Sequence, residues 1–250
     1  MQENKTDQTL TRDEKALTIM AHDIKTPLTA IVSMLGVIKK GYVDEDTEKI
    51  KDLVTRAIKQ AESLISMLDD ILDYTLLADK TKVKREPVHL FDVFKNSLSA
   101  MKSYAEQKQV KVIYPRDLCG GKYIHGSRSF LIRAFNNIMM NAIKYNKEQG
   151  TITIDCRENT PQNTITITFT DTGIGVPDAD MEKVFKIFER GRQARKNPDG
   201  SLGLGLSLVK QIIDFHFGEI AINSIFDKGT TIIVTLPLLK KEKKGGTHES

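Results

Sequence analysis

Ala21-His22-Asp23-Ile24-Lys25-Thr26-Pro27-Leu28 lies in the middle of a run whose apolar residues return every three or four positions. Leu17, Ala21, Ile24, Leu28, Ile31, Leu35 and Ile38 alternate steps of four and three, the spacing of a heptad seam along one helix. His22 falls one residue past that seam, which predicts a ring turned off the packed stripe toward water. Pro27 falls inside the same helix, where it removes a backbone hydrogen bond and predicts a kinked or loosened turn. An exposed imidazole beside the Asp23 carboxylate, on a deformable helix, is an arrangement for chemistry rather than for packing.

Outward from this stretch, the pattern predicts a first helix from about Asp13 to Lys40, ended by Gly41. A second helix is expected from near Asp44, where Glu45 and Asp46 suit a helix N-terminus. Its seam, Ile50, Val54, Ala57, Ala61, Leu64, Leu68 and Ile71, has the same spacing. Two long seams joined by a short loop make an antiparallel helical hairpin. Leu53, Ile58, Ile65 and Leu72 widen the apolar stripe beyond what one hairpin can bury, so two copies are expected to pair as a homodimeric four-helix bundle.

The charged stretch from Ala78 to Pro87 loses this periodicity and reads as a linker. Beyond it, element types alternate. Helices are expected at 90–107, 127–146 and 202–217, and strands at 110–114, 122–125, 219–224 and 230–236. Thr151-Ile-Thr-Ile-Asp-Cys and Thr164-Ile-Thr-Ile-Thr-Phe alternate with period two, as half-buried strands do. The fold class is therefore α+β in two domains: the helical hairpin, then a sandwich of helices on one face of a mixed, largely antiparallel sheet. The divisions read as 1–12 linker, 13–78 hairpin, 79–87 interdomain linker, 88–238 second domain and 239–250 a disordered basic tail.

Composition narrows the function classes. A net charge of +4 spread along 250 residues does not indicate a nucleic-acid surface. Cys119 and Cys156 have neither metal-ligand spacing nor a disulfide framework, which fits a reducing cytoplasm. No apolar run approaches the ~18–20 residues of a membrane helix, so no membrane contact is expected of this segment. Whether a longer parent chain is anchored in the cell membrane is left open.

Three clusters in the second half carry chemistry. Asn137 and Asn141 stand at i and i+4 on one helix face, with Lys144 and Tyr145 just beyond. Amide oxygens suit a Mg²⁺ ion that keeps waters and is shared with phosphate. Asp171-Thr172-Gly173-Ile174-Gly175 follows a strand, so an acid able to accept from an exocyclic amine is set beside glycines that allow close backbone approach. Gly203-Leu204-Gly205 opens a helix whose N–H groups form a phosphate site, without the Gly-Lys-Ser/Thr of a P-loop. Between these two glycine clusters, the basic stretch Glu189–Asp199 has the profile of a lid over an anion.

In order, His-Asp-x-Lys-Thr-Pro, Asn-x-x-x-Asn-x-x-Lys-Tyr, Asp-x-Gly-x-Gly, Phe-x-x-Phe and Gly-x-Gly-Leu resemble the H, N, G1, F and G2 boxes of two-component sensor histidine kinases. Five boxes in the right order are far more specific than any one alone. The resemblance implies ATP and Mg²⁺ as cofactors, His22 as phosphoacceptor, Asp23 as its hydrogen-bonding acid and Thr26 as a residue that positions water for regulator dephosphorylation. It implies that Asn141, with Asn137, faces the metal, that Lys144, Gly203 and Gly205 meet phosphate and that Tyr145 lies beside the nucleotide. Asp171 would read the adenine amine, with Thr230 assisting through water. Gly173, Gly175, Arg190 and Leu204 complete the implied nucleotide set, and Phe185 and Phe188 match the F box. Ser201 and Leu202 depart from the glycine and Thr or Ser that often precede the paired glycines.

The implied activity is ATP-dependent autophosphorylation followed by transfer to an aspartate of a response regulator receiver domain, with regulator phosphatase activity as a second output. The alternative is an ATP-binding phosphatase or dimeric scaffold without net kinase output. The linker at 79–87 and the turn at Pro27 are the expected hinges. ATPases of the gyrase, heat-shock chaperone and mismatch-repair type resemble the same nucleotide fold, but do not place a His-Asp helix in front of it.

Overall fold

A computed structural model describes residues 12–43, 46–79, 81–186 and 204–240, with side chains in the first helix from Met20 onward apart from His22. The chain forms two compact units. One ends at Asp73 and takes in residues 183–186 and 204–205; the other comprises Tyr74–Glu182 and the part from Leu206 onward.

The first unit is built on α1 (Arg12–Lys39) and α2 (Thr47–Ala78). α1 runs through Pro27 as one helix. Two residues on, the Thr29 hydroxyl donates to the Lys25 carbonyl at 2.8 Å, a side-chain bond back onto the turn that proline weakens. α1 ends where the Gly41 N–H donates to Ile38 O at 3.1 Å. The second helix begins slightly later than expected. Asp46 is its cap, accepting the Lys49 N–H at 3.0 Å and so satisfying a helix-end donor that would otherwise lack a partner. Ala30, Ser33 and Met34 of α1 share a groove with Arg56, Lys59 and Gln60 of α2, the mid-helix match of an antiparallel hairpin. Ala57 and Met67 are buried, whereas Leu28, Leu35, Ile58, Ile65 and Leu68 stay exposed in the single chain.

The second unit is a two-layer sandwich. It contains β1 (Glu86–His89), α3 (Leu90–Gln107), β2 (Lys111–Ile113), β3 (Tyr123–Gly126), α4 (Arg128–Lys144), β4 (Thr151–Asn159), β5 (Thr164–Asp171) and the short α5 (Asp178–Met181). α6 (Gly205–Phe215), β6 (Glu219–Ile225) and β7 (Gly229–Pro237) complete the elements. The main sheet has the order β2-β4-β5-β7-β6; β2 pairs parallel with β4, and the remaining pairs are antiparallel. Period-two patterning decides which face packs. Ile165, Ile167 and Phe169 of β5 and Ile232, Val234 and Leu236 of β7 are buried in the same core as Leu131, Phe135, Ile138 and Met139 of α4. The intervening threonines take the other face, where Thr166 and Thr235, and Thr170 and Thr231, face each other across the ladder at 3.4 and 3.1 Å. Phe94, Phe135 and Phe169 meet at ring-centroid distances of 4.7 and 5.5 Å, joining α3, α4 and β5. Burying each such ring contributes roughly 1.5–3 kcal/mol.

Two expectations change. Glu86 and Pro87 do not end a linker: they open β1, which pairs with β3 as a separate two-stranded sheet. The charges of the preceding stretch conceal this short edge, which becomes a strand only because β3 lies beside it. Cys119 and Cys156, unpaired on spacing alone, are joined by a disulfide with Cα atoms 5.2 Å apart. The bond closes 37 residues, a proximity that only the fold creates.

Candidate functional site

α4 is amphipathic. Ala134, Phe135, Ile138, Met139 and Ala142 bury one face, which turns Asn137 and Asn141 to the half-buried edge. Asn137 Nδ2 is buried with no hydrogen-bond partner among the described residues. Such an orphaned donor costs on the order of 1–3 kcal/mol, which an acceptor brought by a ligand would recover. At the helix end, Lys144 Nζ lies 4.8 Å from the centroid of the Tyr145 ring.

The end of β5 delivers Asp171 to the same region, since the Tyr145 carbonyl accepts the Ile174 N–H at 3.0 Å. Asp171 Oδ1 accepts the N–H groups of Gly173 at 2.8 Å and Thr230 at 3.2 Å, leaving Oδ2 without a donor among the described residues. Burial raises the Asp171 pKa above the ordinary carboxylate value, against the two backbone bonds, which lower it. Gly173 and Gly175 are glycine because protein backbone crowds them. A Cβ on Gly173 would stand 2.4 Å from the Tyr145 carbonyl oxygen. One on Gly175, whose φ is +65°, would stand 2.2 Å from that of Ile225.

Several residues that sequence reasoning missed hold this arrangement. The buried Asn146 donates to the Thr151 carbonyl at 3.2 Å and accepts the Thr172 hydroxyl at 3.2 Å, while that hydroxyl accepts the Thr151 N–H at 2.8 Å. The end of α4, the start of β4 and the residue after Asp171 are thereby locked together. Asn146 adjoins the Asn-x-x-x-Asn-x-x-Lys-Tyr motif and Thr172 is an unspecified position inside Asp-x-Gly-x-Gly, which is their only signal. Ser224, beside Thr230 across β6 and β7, carries none.

The remaining predicted residues divide by unit. Asn137, Asn141, Lys144, Tyr145, Asp171, Gly173, Gly175 and Thr230 all belong to the second unit. Leu204 belongs to the first, where it is buried and packs with Met67, Leu64 and Ile71. Gly205 is the first residue of α6. Phe185 is half-buried; Phe188, Arg190 and Gly203 lie outside the described residues. On α1, Asp23 is half-buried and Thr26 exposed, and His22 is placed by its backbone within the helix. Among the described residues there is no group of three or more His, Cys, Asp or Glu able to hold a metal ion. The amide oxygens of Asn137 and Asn141 are of the chemical type that suits an ion shared with phosphate.

Two families match the chain. The His Kinase A (phospho-acceptor) domain covers residues 13–79, and the Histidine kinase-, DNA gyrase B-, and HSP90-like ATPase covers residues 126–240. The chain belongs to the two-component sensor histidine kinases. Sensor histidine kinase WalK of Bacillus subtilis (strain 168) is 29% identical over 231 residues, spanning 90% of this chain and 36% of that protein. Sensor protein kinase WalK of Staphylococcus aureus is 28% identical over 220 residues, 87% of this chain and 52% of that protein. The histidine kinase chain described here thus spans between about a third and a half of these curated relatives. Among solved structures, the mycobacterial sensor histidine kinase MprB is 26% identical with a TM-score of 0.53, over 61% of this chain and 98% of that one. The histidine kinase ThkA in complex with response regulator protein TrrA has a TM-score of 0.65 at 21% identity, over 87% of this chain and 59% of that one; this likeness concerns the fold. No helix among the described residues is long and apolar enough to cross a membrane.

Proposed function

We propose that this chain autophosphorylates on His22 with ATP and passes the phosphoryl group to an aspartate of a response regulator. The observation that carries this reading is the half-buried Asp171 carboxylate, held through one oxygen by Gly173 and Thr230, with the other open to an exocyclic amine. It adjoins a helix edge bearing two amides, in a chain that also carries a His-Asp-x-Lys-Thr-Pro helix. Asp171 would orient adenine, and Lys144 would balance phosphate charge. Asn141 and Asn137 would hold Mg²⁺, which when bound supplies charge neutralisation at the phosphates. Gly205 would offer its N–H at the start of α6.

Phosphoryl transfer depends on positioning and electrostatics more than on covalent help from the protein. The lone pair of one His22 ring nitrogen attacks the γ-phosphorus in line. An N–P bond forms, the bond from the γ-phosphorus to the β,γ-bridging oxygen breaks, and ADP leaves. Asp23 accepts the proton on the other ring nitrogen, which fixes the tautomer beforehand and neutralises the imidazolium afterwards. In the second step the N–P bond breaks and a carboxylate oxygen of the regulator takes the phosphoryl group. The exposed apolar residues of α1 and α2 support pairing of two copies into a four-helix bundle. The exposure of Thr26, four residues after His22, supports regulator dephosphorylation as a second output, in which its hydroxyl would hold the attacking water.

The test is incubation with γ-labelled ATP and Mg²⁺, comparing the intact chain with His22→Gln. Acid-labile, base-stable label that disappears in the variant is expected. Label persisting in the variant refutes the acceptor, and nucleotide binding without any label in the intact chain favours the phosphatase or scaffold reading.

A further inference from the structure

We propose that Ser224 is a specificity-positioning residue that turns the Thr230 hydroxyl into an obligate acceptor beside Asp171, so that the site discriminates 6-amino from 6-oxo purines. The proposal rests on the reading of Asp171 as the group that meets the base. Ser224 and Thr230 are direct partners in the β6–β7 ladder. Ser224 Oγ accepts the Val176 N–H at 2.8 Å, lies 3.0 Å from the Gly229 carbonyl oxygen and lies 2.9 Å from Thr230 Oγ1.

These three contacts leave one solution. A carbonyl oxygen only accepts, so the single proton of Ser224 is committed to Gly229. Ser224 can then meet Thr230 only as an acceptor, and Thr230 must donate its own proton to Ser224. The serine hydroxyl gives one hydrogen bond and takes two, which fills its capacity. Toward anything else, Thr230 Oγ1 offers lone pairs alone.

Asp171 has the same polarity when ionised, since its carboxylate only accepts. Its Oδ1 also receives the Thr230 N–H at 3.2 Å, which keeps the two residues adjacent. Two neighbouring groups that accept but cannot donate favour a base edge presenting an amine. A 6-oxo purine in direct contact meets them with an acceptor facing acceptors. Ser224→Ala removes the sink for the Thr230 proton and lets that hydroxyl rotate and donate. Discrimination should then fall through both a weaker amine contact and a tolerated oxo group.

The test measures Mg²⁺-dependent affinity of the full chain for ATP and for inosine triphosphate, which carries the same triphosphate and a 6-oxo group. Wild type should prefer ATP, and Ser224→Ala should reduce the ATP-to-inosine-triphosphate preference by about fivefold, the worth of one net hydrogen bond. Ser224→Thr, which keeps the hydroxyl, should restore it. A purely structural role would weaken both nucleotides alike, so an unchanged ratio overturns the proposal. Thr230→Val provides a second route should Ser224→Ala fold poorly, with a shift in the same direction expected and an unchanged ratio again refuting the assignment. Asp171→Asn separates the two layers. If it leaves both affinities unchanged, the base-reading role falls and this proposal with it. If it abolishes the preference while Ser224→Ala does not, only the Ser224 assignment falls.

Discussion

His216 accepts the backbone N–H of Ser127 through Nε2 at 2.9 Å, joining the end of α6 to the N-cap of α4 across 89 residues of sequence. Its Nδ1 is 2.7 Å from the Ile212 carbonyl oxygen, so the proton resides on Nδ1 and the buried ring is neutral. The packing leaves no slack: a Cβ on Gly126 would stand 2.0 Å from His216 Cδ2.

Burial holds the His216 pKa below the ordinary histidine value, with Arg85 adding to the depression. The unfolded chain therefore takes up the proton first as pH falls. The stability that neutral His216 contributes is complete above its unfolded pKa of about 6.5 and is lost as pH drops below that. Urea midpoints should decline between about pH 7.5 and 5.5, and His216→Gln should flatten the decline while being less stable at the upper end. A wild-type profile with no slope contradicts this assignment.

For Asp171 the sign is reversed. Its raised pKa means that the native state retains the proton longer than the unfolded chain, so stability is lost as pH rises through the native pKa. Asp171→Asn preserves an oxygen for the Gly173 and Thr230 amides. It should gain on wild type as pH rises, while ATP affinity falls by at least about tenfold for the lost charge-assisted contact. Denaturation across pH, paired with nucleotide titration, checks both halves.

Asn137 should show a trade between stability and binding. Replacing it with Ala removes a buried unpartnered Nδ2 and a poorer helix former, so the nucleotide-free protein should gain up to about 1 kcal/mol. Affinity for Mg·ATP should fall in the same variant. Loss of stability with unchanged affinity would assign Asn137 to the scaffold instead.

Arg85 is clasped between aromatic rings, its guanidinium carbon 4.1 Å from the Phe215 centroid and 4.4 Å from that of Phe217. Nη2 also donates to the Phe215 carbonyl at 2.5 Å. Arg85→Lys keeps the charge but lacks the planar fork, so it should recover less than half of the roughly 1–2 kcal/mol lost in Arg85→Ala. Thermal unfolding of the two variants decides this; equal stability of Arg85→Lys and wild type would show that charge alone suffices.

Gly175→Ala should cost more than about 1 kcal/mol, because the left-handed backbone and the nearby Ile225 carbonyl both oppose a side chain. Chemical denaturation measures it. A neutral effect would mean that the Asp171–Gly175 loop yields easily to its neighbours.

Much of this architecture was legible because it follows from local periodicity. Leu17 to Ile38 and Ile50 to Ile71 repeat as helices must, and Thr151–Cys156 and Thr164–Phe169 alternate as strands must. β1 was not legible, since Glu86 and Pro87 form a strand only through Gly126 and His125 opposite them. At Gly173 and Gly175 the sequence shows the glycines but not the backbone of Tyr145 and Ile225 that a side chain there would meet.

The order of chemical residues along the chain was set by sequence alone: His22 beside Asp23, Asn137 four residues before Asn141, and Asp171 ahead of its glycines. Spacing on a helix or at a strand end determines those relations, and one-dimensional pattern suffices to read them. Which donors hold Asp171, which proton Thr230 gives away and why His216 remains neutral depend on partners 59, 6 and 89 residues distant. Those hydrogen bonds, like the Cys119–Cys156 bridge, are products of tertiary packing, because nothing local to either partner encodes the other.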